Sequence, residues 1–397
     1  MIPGRDFSII NRLSCLISEE NKMKIKPFQV ERWLNTYETK AKYELAETDA
    51  KPFTLEELNK LNPNVDLLQD IAKIKIGYNP TEGSDLLRDK IANLYGPDTS
   101  AENILVTTGA IEADFLLSNV LANKGDKVIV LWPAYQSLYS IAEARGAQVE
   151  YWKLSYENCF QPDLEKLSKM IDSTTRLLVL NIPNNPTGAV INEQQLKTIL
   201  QWAEEYDFYV ICDEVYHELI FKEGIVPPYA RSLSNRAISV GSMSKAYGLS
   251  GLRVGWIAAP EKVIDECWSW KDYTSISNSP INDYLASFAL DHFKQISTRN
   301  HSIICKNRKI LEEWFEEHKK YFDYYLPEAG VLCFPKLKNI HISSEQLALD
   351  LFNRKSLLVV PGECFDIPNH LRIGFGGDSD KLRKSLSVFA DYLKENF

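Results

Sequence analysis

Between residues 78 and 259 two periodicities take turns along the chain. Short apolar runs, "NILVTTG", "KVIVLW", "RLLVLNIP", "FYVICDE" and "AISVG", alternate with stretches whose apolar residues recur every three to four positions, such as "IEADFLLSNVLANKG" and "NEQQLKTILQWAEEYD". The short runs are apolar on both faces, so they predict strands of a mostly parallel sheet covered by helices. Alternation of this kind indicates an α/β domain. Ligands of such sheets bind at the carboxyl ends of the strands. Three polar signatures stand there: Gly109 after "NILVTT", "PNNPTG" after "RLLVLN", and Asp213 at the end of "FYVIC".

From about residue 290 the pattern changes. A long amphipathic helix, "NHSIICKNRKILEEWFEEHKKY", precedes short strand-like pieces ("YYLPEAGVLCF", "SLLVVPG", "HLRIGFG") and a final helix, "DKLRKSLSVFADYLKENF". This α+β pattern predicts a second, smaller domain over 291–397, joined from the other end by 23–75, with the large domain over 76–290. Residues 1–22 read as a loosely attached extension ahead of Met23, with an apolar stretch broken by Asn11 and Arg12 and no signal-peptide cleavage site.

Composition narrows the function classes. The formal net charge is −9, without a block of lysine and arginine, which argues against nucleic acid as a partner. No apolar run approaches the roughly 18 residues of a membrane span. Seven scattered cysteines, without a CxxC pair, predict neither a disulfide framework nor a metal site, and point to a reducing, cytoplasmic compartment.

The stretch "SMSKAYGLSGLRVG" raises a sharper question. It sets Lys245 among small and apolar residues, with Ser242 before it and Arg253 eight residues later. A lysine in poor contact with water loses its charge more easily and can act as an amine nucleophile.

Four features supply something for that amine to hold. The turn at Gly109 opens a helix, so the N–H groups of Gly109, Ala110 and Ile111 can meet an anion, although most such turns bind nothing. The prolines of "NIPNNPTG" make either a fixed loop that presents Asn185 or an ordinary Asn-Pro turn. Asp213 ends a buried strand three residues before Tyr216, needing a donor or cation unless it is a helix cap. Ser242 and Arg253 suit a phosphate.

Pyridoxal 5′-phosphate satisfies all of them. Its aldehyde would form a Schiff base with Lys245. Its phosphate would meet residues 109–111, Ser242 and Arg253, and its ring nitrogen would pair with Asp213. Asn185 and Tyr216 would donate to the ring oxygen, and Tyr135 of "WPAY" would stack on the ring or be plain core.

The ordered set G-A…PNNPTG…D-x-x-Y…S-x-S-K-x7-R resembles the class I/II aminotransferase family of fold-type I pyridoxal-phosphate enzymes, over nearly the whole chain from about residue 25. The resemblance implies a homodimer with its active site at the subunit interface. It implies that Tyr78, in "YNPTEGSDLLR" with Gly83 and Arg88, reaches the neighbouring subunit's phosphate. It also implies that Arg372 of "HLRIGFG" grips the substrate α-carboxylate.

The stretch "YELAETDAKPFTLEEL" departs from the Gly-x-x-Asp common in the family, with Ala46 and Glu47 where a small residue usually lies over the substrate. Together with "PEAGVLCFPKL", it is similar to a narrower branch that includes capreomycidine synthases. Glu47 is then either a solvated loop acid or the counter-charge for a cationic substrate.

Three functions follow. The leading one is an aminotransferase moving an amino group from an L-α-amino acid to a 2-oxo acid. The second is a lyase or cyclase on a modified basic amino acid, which uses Lys245 to remove the same proton. A non-catalytic regulator on this scaffold is the third, disfavoured because the lysine is retained and the 22 residues before Met23 are too few for a DNA-binding domain.

Overall fold

A computed structural model describes residues 24–221 and 227–397. The expectation for residues 1–22 lies outside them. Seven strands form the central sheet: β1 (Ile104–Thr107), β2 (Lys127–Trp132), β3 (Gln148–Lys153), β4 (Thr175–Asn181), β5 (Tyr209–Asp213), β6 (Ala237–Ser242) and β7 (Gly255–Ala258). Their order is β1-β7-β6-β5-β4-β2-β3, and only β7 runs antiparallel to its neighbours.

The apolar runs become strands because both faces are covered. Leu177 and Val179 of β4 enter one core with Leu116, Leu117 and Ile264, while Leu178 and Leu180 enter the other with Ile199 and Leu200. Alternate residues of one strand thus feed two cores. No apolar run announces β3, because it is an edge strand whose exposed polar residues alternate with half-buried ones.

Strands from the two ends of the chain form smaller sheets. Tyr43–Glu44 pairs in parallel with Leu357–Leu358. The strand β8 (Leu371–Gly374) lies between Leu332–Cys333 and Val360–Pro361, antiparallel to both. One long helix, Phe293–Glu317, ties these pieces to the central sheet. Its buried Asn300 donates to Ala246 O, and its buried Asn307 donates to Phe375 O and Gly377 O, each at 2.8 Å. The loop after Lys245 and the chain after Arg372 therefore hang on the same helix. Buried polar groups rarely stay unpaired, so these two asparagines fix both loops at once.

Among the described residues no helix is long and apolar enough to cross a membrane.

Candidate active site

The carboxyl ends of β4, β5 and β6 open into one cavity. Of the residues expected from the sequence, Lys245, Asp213, Tyr216, Asn185, Ser242, Arg253, Ala110, Ile111, Tyr135 and Arg372 all line it. Glu31, Thr48, Asp114 and Asn181 line it too, and sequence reasoning missed them.

Lys245 follows β6 and is half-buried. Its Nζ donates to Thr48 Oγ1 at 2.6 Å. Burial pushes its pKa below the ordinary lysine value; Asp49 opposes this and Arg372 adds to it. Such surroundings free an amine for nucleophilic and base chemistry.

Asp213 ends β5 and is buried. One oxygen accepts the Val215 N–H at 3.1 Å. Burial pushes its pKa up to about 7, against the lowering effects of that hydrogen bond and of Lys245. A carboxylate that is this costly to ionise alone gains from a cationic partner.

Asn181, at the end of β4, organises the loop beside it. Its amide donates to Asp213 O at 3.1 Å, and its Oδ1 accepts the Asn185 N–H at 2.6 Å. Asn184 accepts the Thr187 hydroxyl at 2.7 Å and donates to Pro133 O at 3.1 Å. The loop 182–188 is therefore held by its own side chains, and Asn185 is fixed opposite Arg372.

The phosphate end is a cradle that glycine permits. Gly109 has φ +73°, and a Cβ on it would stand 2.4 Å from Arg253 Nη2. A Cβ on Gly255 would stand 2.4 Å from Gly109 C and 2.5 Å from Ala110 N. Helix α1 (Ala110–Leu121), Arg253 and β7 meet there because neither glycine carries a side chain. First-turn amides lack intrahelical partners, so Ala110 and Ile111 present N–H groups at the cavity. The expectation is corrected at Gly109, whose own N–H turns back to Thr107 O at 3.0 Å. Gly109 shapes the cradle and does not donate into it.

Arg372 is buried on β8. Its Nη1 reaches Asn185 Oδ1 and its Nη2 reaches Ala46 O, both at 3.3 Å, and its Nε is buried without a partner. A guanidinium held this loosely has donors left for a carboxylate. Ala46 is buried, and its carbonyl is what meets Arg372. The Tyr216 hydroxyl, beside Thr48, is buried without a well-formed hydrogen bond.

Of the two readings of Glu47, the structure speaks against the counter-charge and for the loop acid, because its side chain lies outside the cavity. The segment 45–51 runs as a strap: Gly374 N donates to Leu45 O, Ala50 N to Lys245 O and Lys51 N to Gly376 O. Thr48 turns into the cavity, and Glu47 turns into a neighbouring cleft shared with Glu44, Asp378, Lys381 and Lys384. A glutamate that does face the cavity is Glu31, from the helix Gln29–Tyr37, and the Tyr135 hydroxyl donates to it. No motif marks Glu31 in "QVERWLNTY".

Tyr78 does not line the cavity of its own chain; its side chain is 88% exposed. Gly83 and Arg88 anchor its segment to the sheet edge. A Cβ on Gly83 would meet Val106 Cγ2 at 2.4 Å, and Arg88 donates to Ala101 O at 2.8 and 3.0 Å.

The profile of the family described as aminotransferase class I and II matches residues 46–389. The chain belongs to this family. It is 31% identical to capreomycidine synthase of Streptomyces vinaceus, over 92% of this chain and 93% of the relative. Among solved structures, a PLP-dependent aminotransferase from Streptococcus suis superposes with a TM-score of 0.88 at 36% identity, covering 94% of this chain and 98% of the other. The PLP-dependent cyclase OrfR superposes with a TM-score of 0.87 at 25% identity, covering 96% and 100%.

The fold is that of fold-type I pyridoxal-phosphate enzymes, and the protein is a pyridoxal-phosphate-dependent enzyme of the aminotransferase family. The residues present fit the cofactor. The glycine-shaped cradle beside Arg253 suits its phosphate, the orphaned Tyr216 hydroxyl suits its ring oxygen, and buried Asp213 suits its ring nitrogen.

Proposed function

We propose that the protein is an aminotransferase that moves the amino group of an L-α-amino acid to a 2-oxo acid. One observation carries this reading: the Lys245 amine and the under-bonded Arg372 guanidinium face the same cavity. Arg372 would take the substrate α-carboxylate in a bidentate pair, which orients the α carbon. Lys245 Nζ, whose charge burial disfavours, would take the proton from that carbon. Pyridoxal phosphate, when bound, supplies the electron sink. Asp213 would hold the charge opposite the ring nitrogen, and Asn185 and Tyr216 would donate to the ring oxygen.

A second reading is favoured by Glu31. This carboxylate sits in the cavity with Lys245 and Arg372, where it would attract a cationic substrate side chain. Together with the similarity to capreomycidine synthase, it supports a cyclase or lyase acting on a modified basic amino acid.

The test uses holoenzyme and one amino acid at a time, without an oxo acid, including a basic and a neutral one. One equivalent of oxo acid per site, with no further turnover, supports transamination. Continued turnover to a cyclised or eliminated product supports the second reading.

The working form is inferred to be a homodimer. Tyr78, Ile76 and Tyr273 are large apolar groups left exposed, and Ile111 at the cavity mouth is exposed as well. Glu112 binds Thr274 and Ser275, which brings the Tyr273 segment beside that mouth. A second copy would cover this surface and bring its Tyr78 to the phosphate end. The six described cysteines are unpaired, which supports a cytoplasmic location.

A further inference from the structure

Asp114 is a buried acid that the chemistry above leaves without a task. It lies one turn into α1 and is 4% exposed, facing the same cavity as Asp213 at 6%. Its Oδ2 accepts the Ser137 hydroxyl at 2.7 Å, and its Oδ1 is buried without a partner. An apolar residue would fill the same place in the helix without such a cost.

Two carboxylates that share a buried cavity wall do not both ionise readily. Their surroundings decide which keeps its proton. Asp213 has the Val215 N–H at 3.1 Å and the positive charge of Lys245, opposed by Glu214 and flanked by the Cys212 thiol. Asp114 has the Ser137 hydroxyl and lines the same cavity as Asp213, whose charge acts on it. The charge therefore settles on Asp213. Burial and the nearby Asp213 hold the Asp114 carboxyl well above the usual carboxylate range.

We infer that Asp114 is a positioning residue that acts through Asp213: anchored by Ser137, it stays a neutral carboxylic acid and offers its hydroxyl as a donor at the ring-nitrogen end of the cavity. Asp213 is then the single anion there, supported by a dipole and not opposed by a second charge. The reading above would give Asn185 and Tyr216 to the ring oxygen, so this role duplicates neither. The inference rests on the pairing of Asp213 with the cofactor ring, whichever reaction the enzyme runs.

The experiment strips the protein of cofactor and titrates it with pyridoxal phosphate from pH 6 to 9, following the absorbance of the bound cofactor. Asp114→Asn keeps shape and a donor, and Asp114→Leu keeps volume and removes the donor. The Asn variant is expected to bind within about threefold of the parent, with the same pH midpoint. The Leu variant is expected to bind about tenfold more weakly, as loss of one hydrogen bond would give, with the midpoint moved upward. If both variants move the midpoint downward, Asp114 is a second anion and the inference fails. It fails equally if neither variant changes affinity or midpoint. A parent whose binding is indifferent to Asp213→Asn would sink the ring pairing itself, a separate result. Should the Leu variant not fold, Ser137→Ala replaces it; an upward midpoint shift supports the anchor, and an unchanged midpoint overturns it.

Discussion

The two halves of the cavity are built in different ways. The cofactor half rests on the central sheet, where Asp213 ends β5, Lys245 follows β6, and Arg253 meets Gly109 at β7. The half proposed for the substrate is assembled from distant pieces: Glu31 on the helix Gln29–Tyr37, Thr48 on the strap, and Arg372 on β8. The first half is fixed by strands buried on both faces, where a residue cannot shift without disturbing two cores. The second depends on hydrogen bonds between the ends of the chain. Cofactor chemistry should therefore be intolerant of change, and substrate choice adjustable.

The largest effect is expected from Lys245→Ala. Turnover should fall at least about 10⁴-fold, the upper range for a positioned base, while the fold and cofactor binding through phosphate contacts remain. Steady-state turnover and circular dichroism check both halves of that statement.

Asp213→Ala should lower kcat/KM at least about a hundredfold on every substrate, as loss of a preorganised electrostatic partner does. The pH dependence has a definite sign. Burial raises Asp213 to about 7, against about 3.9 in an unfolded chain. In cofactor-free protein the stability from this group is full below about pH 4 and is lost as the pH rises through 7. Thermal unfolding of Asp213→Asn, which cannot ionise, should lack that loss.

Glu31→Gln separates the two halves. Efficiency toward a basic amino acid should fall by about tenfold to a hundredfold, from roughly 1.5–3 kcal/mol for a hydrogen bond to a charged group. Efficiency toward a neutral one should stay within about threefold, because Arg372 would still hold its carboxylate in the proposed reading. Parallel kcat/KM measurements on both substrates give the ratio, and an unmoved ratio removes the support Glu31 lends to a cationic substrate.

The smallest effect is expected at Glu47→Gln. Its side chain lies in the neighbouring cleft with Glu44, whose carboxyl is pushed up to about 7 by burial, with help from Glu47. The ratio of basic to neutral kcat/KM should change less than about twofold, the size of a surface charge effect.

Site residues were legible in the sequence where local chemistry and strand ends coincide. Gly109, Asn185, Asp213, Lys245 and Arg253 each sit beside an apolar run or a glycine that marks a turn, and the fold brings them together. Asn181 hid inside a strand, because nothing in "RLLVLNIP" tells a loop-organising amide from a strand end. Glu31 and Asp114 hid in helices, where one acid among apolar residues looks like any solvated face. Glu47 drew attention over Thr48 because its charge suggested a role, whereas the path of the strap, held by hydrogen bonds to Gly374 N, Lys245 O and Gly376 O, decides which side chain faces in.

The decisive measurement is to reduce the cofactor-loaded enzyme with borohydride and map the peptide that carries the phosphopyridoxyl group by mass spectrometry. We expect the group on Lys245, at about one per chain, since one lysine follows β6 into the cavity. It should be absent from that peptide in Lys245→Ala. The group on another lysine, or none on Lys245 in active enzyme, would remove Lys245 from the chemistry.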